Sequence, residues 1–278
     1  MPLNPLVLLT NDDGILAQGL VVLRAFISRS ADVEIVAPGV ECSGASHAVS
    51  VRREMPFRRV ERDGVFWGYA LDGNPADCVK LAITRLLPRK PDLVIAGINP
   101  GANVGNNILY SGTVAAAREA AMLGVPAMAV SIQWRADRPD PPPCYDTAAE
   151  FTARIAAKVV EEGLPPGVIL NVNVPNLSSE EIAGVVVSRQ GLTAYIDKMQ
   201  PIGRDGDVRA YSNVGDEEVP SPPDAPDSDD LVLAQGKISV TPLHYDMTDH
   251  NFRSELVPWL RERESRPEFG RRRPQVQA

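Results

Sequence analysis

The chain has 278 residues, 44% of them hydrophobic and 23% charged, a balance that suits one large α/β domain or a domain with a substantial appendage. Its formal net charge is −8 and its isoelectric point is near 5.0, which argues against non-specific attraction to nucleic-acid polymers or an anionic membrane. A small anionic ligand is still permitted wherever one site carries a local positive charge.

Leu6–Thr10, LVLLT, predicts a short strand covered on both faces, followed at once by Asn11, Asp12, Asp13 and Gly14. A helix is expected near Ala17–Ser28, with Leu20, Leu23 and Ile27 on one face, and then a strand at Val33–Pro38. Val49–Arg53 and Phe66–Leu71 read as strands flanking the turn-like ERDG, and Ala76–Leu87 as an amphipathic helix. PDLVIAGIN (91–99) is a buried strand, Thr113–Leu123 a helix and PAMAVSI (126–132) another strand. This alternation predicts an α/β fold, a Rossmann-like three-layer sandwich with a mostly parallel sheet. After a breaker at Pro139–Pro143 come a helix at Asp146–Glu162 and a strand at 168–175.

Beyond it the character changes. Val185–Val187 and Ile238–Val240 read as strands, separated by a polar stretch that includes GDEEVPSPPDAPDSDD (215–230). Its acids and prolines argue for a solvated loop without a core of its own, or for an arm that packs on another subunit. The expected division is a catalytic core over 1–187, an extended β arm over 188–245, and a C-terminal helix (Phe252–Glu264) with a frayed tail over 246–278. Cys42, Cys78 and Cys144 lie far apart without a CxxC pair, so a reducing, cytoplasmic setting is expected. The apolar start has no basic flank and no run reaches membrane length.

In an open parallel sheet, ligands bind outside the carboxyl ends of the strands. Three polar loops follow such ends: Asn11–Gly14, ECSGASH (41–47) and GINPGANVGNNILYSGT (97–113). Brought to one edge, they offer Asp12, Asp13, Ser43, Ser46, Asn99, Asn103, Asn106, Asn107, Ser111 and Thr113. Such a set of oxygen donors suits a hard divalent cation, Mg²⁺ or Mn²⁺, whose charge would offset the repulsion between Asp12 and Asp13. Ser111 or Thr113 can cap the following helix, whose start is a natural anion site. No phosphate-binding P-loop and no dinucleotide fingerprint is present. Taken singly, each piece has a plainer reading: a turn, a small-residue loop, or a satisfied histidine at His47, His244 or His250. Their joint placement favours the functional one.

LLTNDDGI, APGVECSGASHAV, LDGNPADCV, DLVIAGINPGANVGNNILYSGTVAAARE and ISVTPL, in this order, resemble the SurE family of 5′/3′-nucleotidases. The resemblance implies a metal-dependent phosphatase acting on nucleoside monophosphates, with one divalent ion per subunit. By the matching motifs the ion would be held by Asp12, Asp13, Ser43 and Asn99. Asn11, Gly44, Ser46, Asn103, Ser111, Gly112 and Thr113 would bind phosphate and substrate, and Asp12 or Asp13 would activate water. It also implies homodimers formed by exchange of C-terminal segments, and homotetramers of these. Two departures stand out, the GVECSG lead-in to Ser43 and Pro100 where the family often has His. The rivals are a phosphatase that forms an aspartyl-phosphate and a non-catalytic nucleotide or metal sensor.

Overall fold

A computed structural model describes residues 4–135, 140–204 and 207–263. Contacts divide the chain at Tyr245/Asp246 into a large unit and a short C-terminal one. The large unit begins with β1 (Leu6–Thr10), buried along its whole length. It continues through α1 (Gln18–Ile27), β2 (Asp32–Pro38), β3 (Phe57–Arg62), β4 (Val65–Leu71) and α2 (Pro75–Leu81), which ends in a π turn over Ala82–Leu86. Next come β5 (Leu93–Pro100), a 3₁₀ turn (Gly105–Leu109), α3 (Gly112–Met122), β6 (Ala127–Ile132), α4 (Tyr145–Glu162) and β7 (Val168–Val174). The rest comprises β8 (Val185–Val187), β9 (Ala194–Arg204), β10 (Asp207–Val219), α5 (Asp229–Ala234) and β11 (Ile238–His244). The short unit contains α6 (His250–Arg263), so the expected end at Glu264 and the tail lie outside the described residues.

Nine strands form one sheet in the order β3-β4-β2-β1-β5-β6-β7-β11-β8. From β4 to β7 every neighbouring pair is parallel, while β3 and β11 run antiparallel to β4 and β7. Alternating side chains send the two faces of each strand into separate cores. Val7, Leu9, Ile35 and Ile95 pack with α1 and α4 residues such as Leu23 and Phe151. Leu8, Val36 and Val94 pack with Val79 and Cys78 of α2 and with the alanines of α3. Each fully buried Leu or Ile contributes about 1.5–3 kcal/mol, which explains the almost unbroken apolar strands. The result is the expected three-layer Rossmann-like sandwich.

Two expectations are corrected. Val49–Arg53 is not a strand; the partner of β4 is Phe57–Arg62, and the pair closes through Asp63 and Gly64 alone. Both have positive φ, 53° and 74°, as a two-residue hairpin turn of this hand requires. The apolar pattern of residues 49–53 was therefore misleading, and Asp-Gly marked the turn. The 215–230 stretch is a solvated loop only in its middle, where most of residues 220–227 are exposed. Its first part completes β10, which pairs with β9 in a two-stranded antiparallel ribbon. Its last part buries Ser228, Asp229 and Asp230. Asp229 is tolerated there because it accepts the amides of Gly105, Gly191 and Asp230, and Asp230 accepts that of Ser221. β11 lies between β7 and β8 in the main sheet, so the extended part of 188–245 is the ribbon over 194–219. Ile196, Met199, Ile202 and Tyr211 on it are exposed.

Candidate functional site

β1 leads to β2 on one side, whereas the chain returns from β4 through α2 to β5 on the other side of β1. The strand order therefore reverses between β1 and β5, and a crevice opens at their carboxyl ends. Asp12 and Asp13 leave β1 there and Asn99 lies at the end of β5. A cleft of about 510 Å³ opens at this point, lined by Asp12, Asp13, Glu41, Ser43, Gly44, Asn99, Pro100, Asn103, Asn107, Tyr110, Ser111 and Trp134.

The start of α3 comes down directly on Asp12. A β-carbon at Gly112 would lie 2.9 Å from the Asp12 side chain, so only glycine allows the approach. Thr113, fully buried, donates its hydroxyl to Asp12 Oδ1. Of the two candidate caps, Ser111 is the one used, its Oγ accepting the Val114 amide at 3.1 Å. Burial raises the Asp12 carboxyl above the ordinary carboxylate range, against the pull of Thr113. Burial lifts Asp13 to about 7, helped by the charges of Asp12 and Glu41. Asp13 Oδ2 and Asn11 Oδ1 are buried with no hydrogen-bond partner among the described residues.

The other donors are held from below. Asn99 gives its amide N–H to Gly101 O at 2.7 Å, which leaves its carbonyl oxygen for another partner. Ser43 gives its hydroxyl proton to Glu41 Oε1 at 2.7 Å and keeps its lone pairs. Asn103 is pinned through its backbone by Asn171 and Asn173 of β7, and its side chain reaches Ser131 Oγ at 2.8 Å. Cys42 donates its amide to Asp12 O, tying the 41–47 loop to the end of β1.

The structure thus brings Asp12, Asp13, Ser43, Gly44, Asn99, Asn103 and Ser111 to one cleft. Four expected site residues stand behind it instead. Asn11 is fully buried and donates to Gly14 O; Gly112 and Thr113 shape and hold Asp12. Ser46 donates to Leu109 O and Tyr110 O, fastening its loop to the 3₁₀ turn. Asn106 turns away toward Leu192 O, and His47 meets the buried Glu119, which Lys80 also reaches. Glu41, Tyr110 and Trp134 were not foreseen. Trp134 follows the end of β6 at the same sheet edge, so the strand-end rule itself could have found it.

Among the described residues no three His, Cys, Asp or Glu side chains converge on one point. The donors that line the cleft are two carboxylates completed by amide and hydroxyl oxygens, with the buried Asp13 Oδ2 left unpaired among the described residues. That chemistry fits a hard divalent cation rather than zinc or a redox metal. Fold and site together define a Rossmann-like α/β protein whose strand-end cleft gathers oxygen donors beside a helix start.

The chain belongs to the SurE family: the family model described as Survival protein SurE matches residues 7–197. A protein named 5′-nucleotidase SurE from Syntrophobacter fumaroxidans is 43% identical over 254 residues, covering 91% of this chain and 98% of that one. One of the same name from Symbiobacterium thermophilum is 45% identical over 266 residues, with 91% and 98% covered. The crystal structure of the SurE protein from Aquifex aeolicus matches with a TM-score of 0.77 at 34% identity, covering 92% of this chain and 100% of that one.

Proposed function

We propose that this protein is a divalent-metal-dependent 5′-nucleotidase that hydrolyses nucleoside monophosphates to nucleoside and inorganic phosphate. The observation that carries the reading is the unpaired, buried Asp13 Oδ2 beside the start of α3, at the crevice where the strand order reverses. The printed names of the relatives supply the reaction class.

Asp12, Asp13, Ser43 and Asn99 would hold one Mg²⁺ or Mn²⁺ per subunit. When bound, such an ion polarises phosphoryl oxygens and neutralises the charge that builds up on them. The chain does the rest. Thr113 fixes Asp12 in one orientation, and Gly44, Asn103, Ser111 and the first turn of α3 offer hydrogen-bond donors and a positive dipole end to the phosphate. Asp13, with a free oxygen, orients the attacking water and takes its proton. The water oxygen bonds to phosphorus as the bond to the ribose oxygen breaks; the leaving oxygen takes a proton from solvent, and Asp13 returns its own proton to solvent, which restores the carboxylate. Among the described residues that line the cleft there is no Lys or Arg, which favours direct attack by water over an aspartyl-phosphate that a cationic side chain would have to steady.

The exposed apolar residues of the ribbon support a homodimer formed through the 188–245 segment, with further pairing into a homotetramer. Three free cysteines suit a cytoplasmic setting, and among the described residues no helix is long and apolar enough to cross a membrane. The test is phosphate release from AMP, GMP and their 3′ isomers. Activity is expected to disappear with EDTA, return with Mn²⁺ or Mg²⁺, and be absent in Asp12→Asn. Full turnover in EDTA, or a fully active Asp12→Asn, contradicts the reading, and binding without phosphate release favours the sensor.

A further inference from the structure

The metal and phosphate donors occupy only one end of the cleft. Asp12 and Asp13 stand at the end of β1 and Asn99 at the end of β5, one strand away. β6 is the next strand, with Asn99 opposite Ser131 and Pro100 opposite Ile132. Trp134 follows two residues later, and Gly101, beside it, donates its amide to Ile132 O. Two strand spacings separate the β1 and β6 ends, roughly 10 Å across the sheet edge. The same cleft therefore reaches from the carboxylates to an indole, over ground that the ribose part of a nucleotide can bridge.

A second aromatic side chain stands on another rim. Tyr110 closes the 3₁₀ turn just before α3, and although it is 64% exposed it lines this cleft. Its backbone is fastened, since its carbonyl accepts the Ser46 amide and its amide donates to Asn107 O. An exposed aromatic ring on a fixed backbone presents a stacking surface at low entropic cost. Trp134 is only half-buried and lines a neighbouring cleft as well.

We propose that Trp134 and Tyr110 form a nucleobase subsite, in which a base stacks while its phosphate lies at Asp12, Asp13 and the start of α3. This rests on the nucleotidase reading and deepens it. Because stacking grows with ring area, the site selects purine over pyrimidine monophosphates, and it disfavours phosphate esters that carry no base.

The test compares AMP with ribose 5-phosphate, which lacks only the base. Trp134→Ala is expected to lower kcat/KM for AMP roughly tenfold, mainly through KM, as loss of one base–aromatic contact does. Its effect on ribose 5-phosphate should stay within about twofold, and Trp134→Phe should recover most of the loss on AMP. Tyr110→Ala and Tyr110→Phe should follow the same pattern. An equal loss on both substrates indicates a structural role and overturns the proposal, as does an unchanged AMP reaction. A second readout is independent of hydrolysis: adenosine should quench tryptophan emission more than uridine, and W134F should lose the difference. No quenching by adenosine also overturns the subsite. If the wild type releases phosphate from neither ester, the nucleotidase reading fails, whereas the quenching still reports on the base.

Discussion

Thr113→Val is the sharpest probe of how the fold prepares the site. The substitution keeps shape and volume but deletes the hydroxyl that donates to Asp12 Oδ1, in a place where Thr113 is fully buried and Asp12 is 5% exposed. Water cannot readily replace the lost donor, so a buried carboxylate oxygen is left unsatisfied. Hydrogen bonds to charged groups contribute about 1.5–3 kcal/mol. A loss near 2 kcal/mol would lower the melting temperature by roughly 4–8 °C, on the scale of domains approaching this size. The hydroxyl also lowers the Asp12 carboxyl against the rise caused by burial, so its removal raises that group further. A cation then competes with a proton, and Mn²⁺ affinity near neutral pH should fall roughly tenfold for each additional 1.4 kcal/mol. Calorimetric unfolding in EDTA and Mn²⁺ titration measure the two effects separately. A variant with unaltered melting and unaltered Mn²⁺ binding would refute the claim that Thr113 holds Asp12 in its working state.

The remaining predictions concern Asp13, Asp229 and Gly112. In the folded, metal-free protein Asp13 titrates at about 7, against about 3.9 for an unperturbed Asp. Its ionisation therefore costs stability progressively as pH rises from 4 to 7. In EDTA, Asp13→Asn should gain on the wild type across that window and hold a constant advantage above it, as read by denaturant midpoints. Mn²⁺ binding should release a proton below about pH 7, seen by calorimetry in buffers of different ionisation enthalpy. Asp229→Ala strands the amides of Gly105, Gly191 and Asp230 and should cost about 3 kcal/mol or more in urea unfolding. Gly112→Ala places a methyl group 2.9 Å from Asp12. Phosphate release should fall at least tenfold, since a displaced ligand of even 1 Å carries such losses, while the far-UV spectrum stays intact.

The sandwich was legible because buried parallel strands leave near-continuous apolar runs, and LVLLT and DLVIAGIN are such runs. The crevice was legible for a different reason. Polar loops that follow those strands must share one edge of the sheet, so Asp12, Ser43 and Asn99 could be brought together without knowing the strand order. What escaped was decided by partners remote in sequence. Asp229 looks like part of a solvated acidic loop until the amides of Gly105 and Gly191 come to meet it. An extended β arm was expected over 188–245, but the pairing inside it was hidden because its strands pair only with each other, and Val49–Arg53 has the right residues without a partner strand. Ser46, Gly112 and Thr113 sit in the right motif, yet they act by placing other groups, and only packing distinguishes a lining residue from its support.

Anomalous diffraction from crystals grown with manganese addresses the central claim most directly. One Mn²⁺ per chain is expected between the β1 and β5 ends, with oxygens of Asp12, Asp13, Ser43 and Asn99 about 2.0–2.2 Å away, near the distances of hard divalent sites. Peaks found only elsewhere on the molecule, or a crevice that stays metal-free while phosphate is still released, would contradict it.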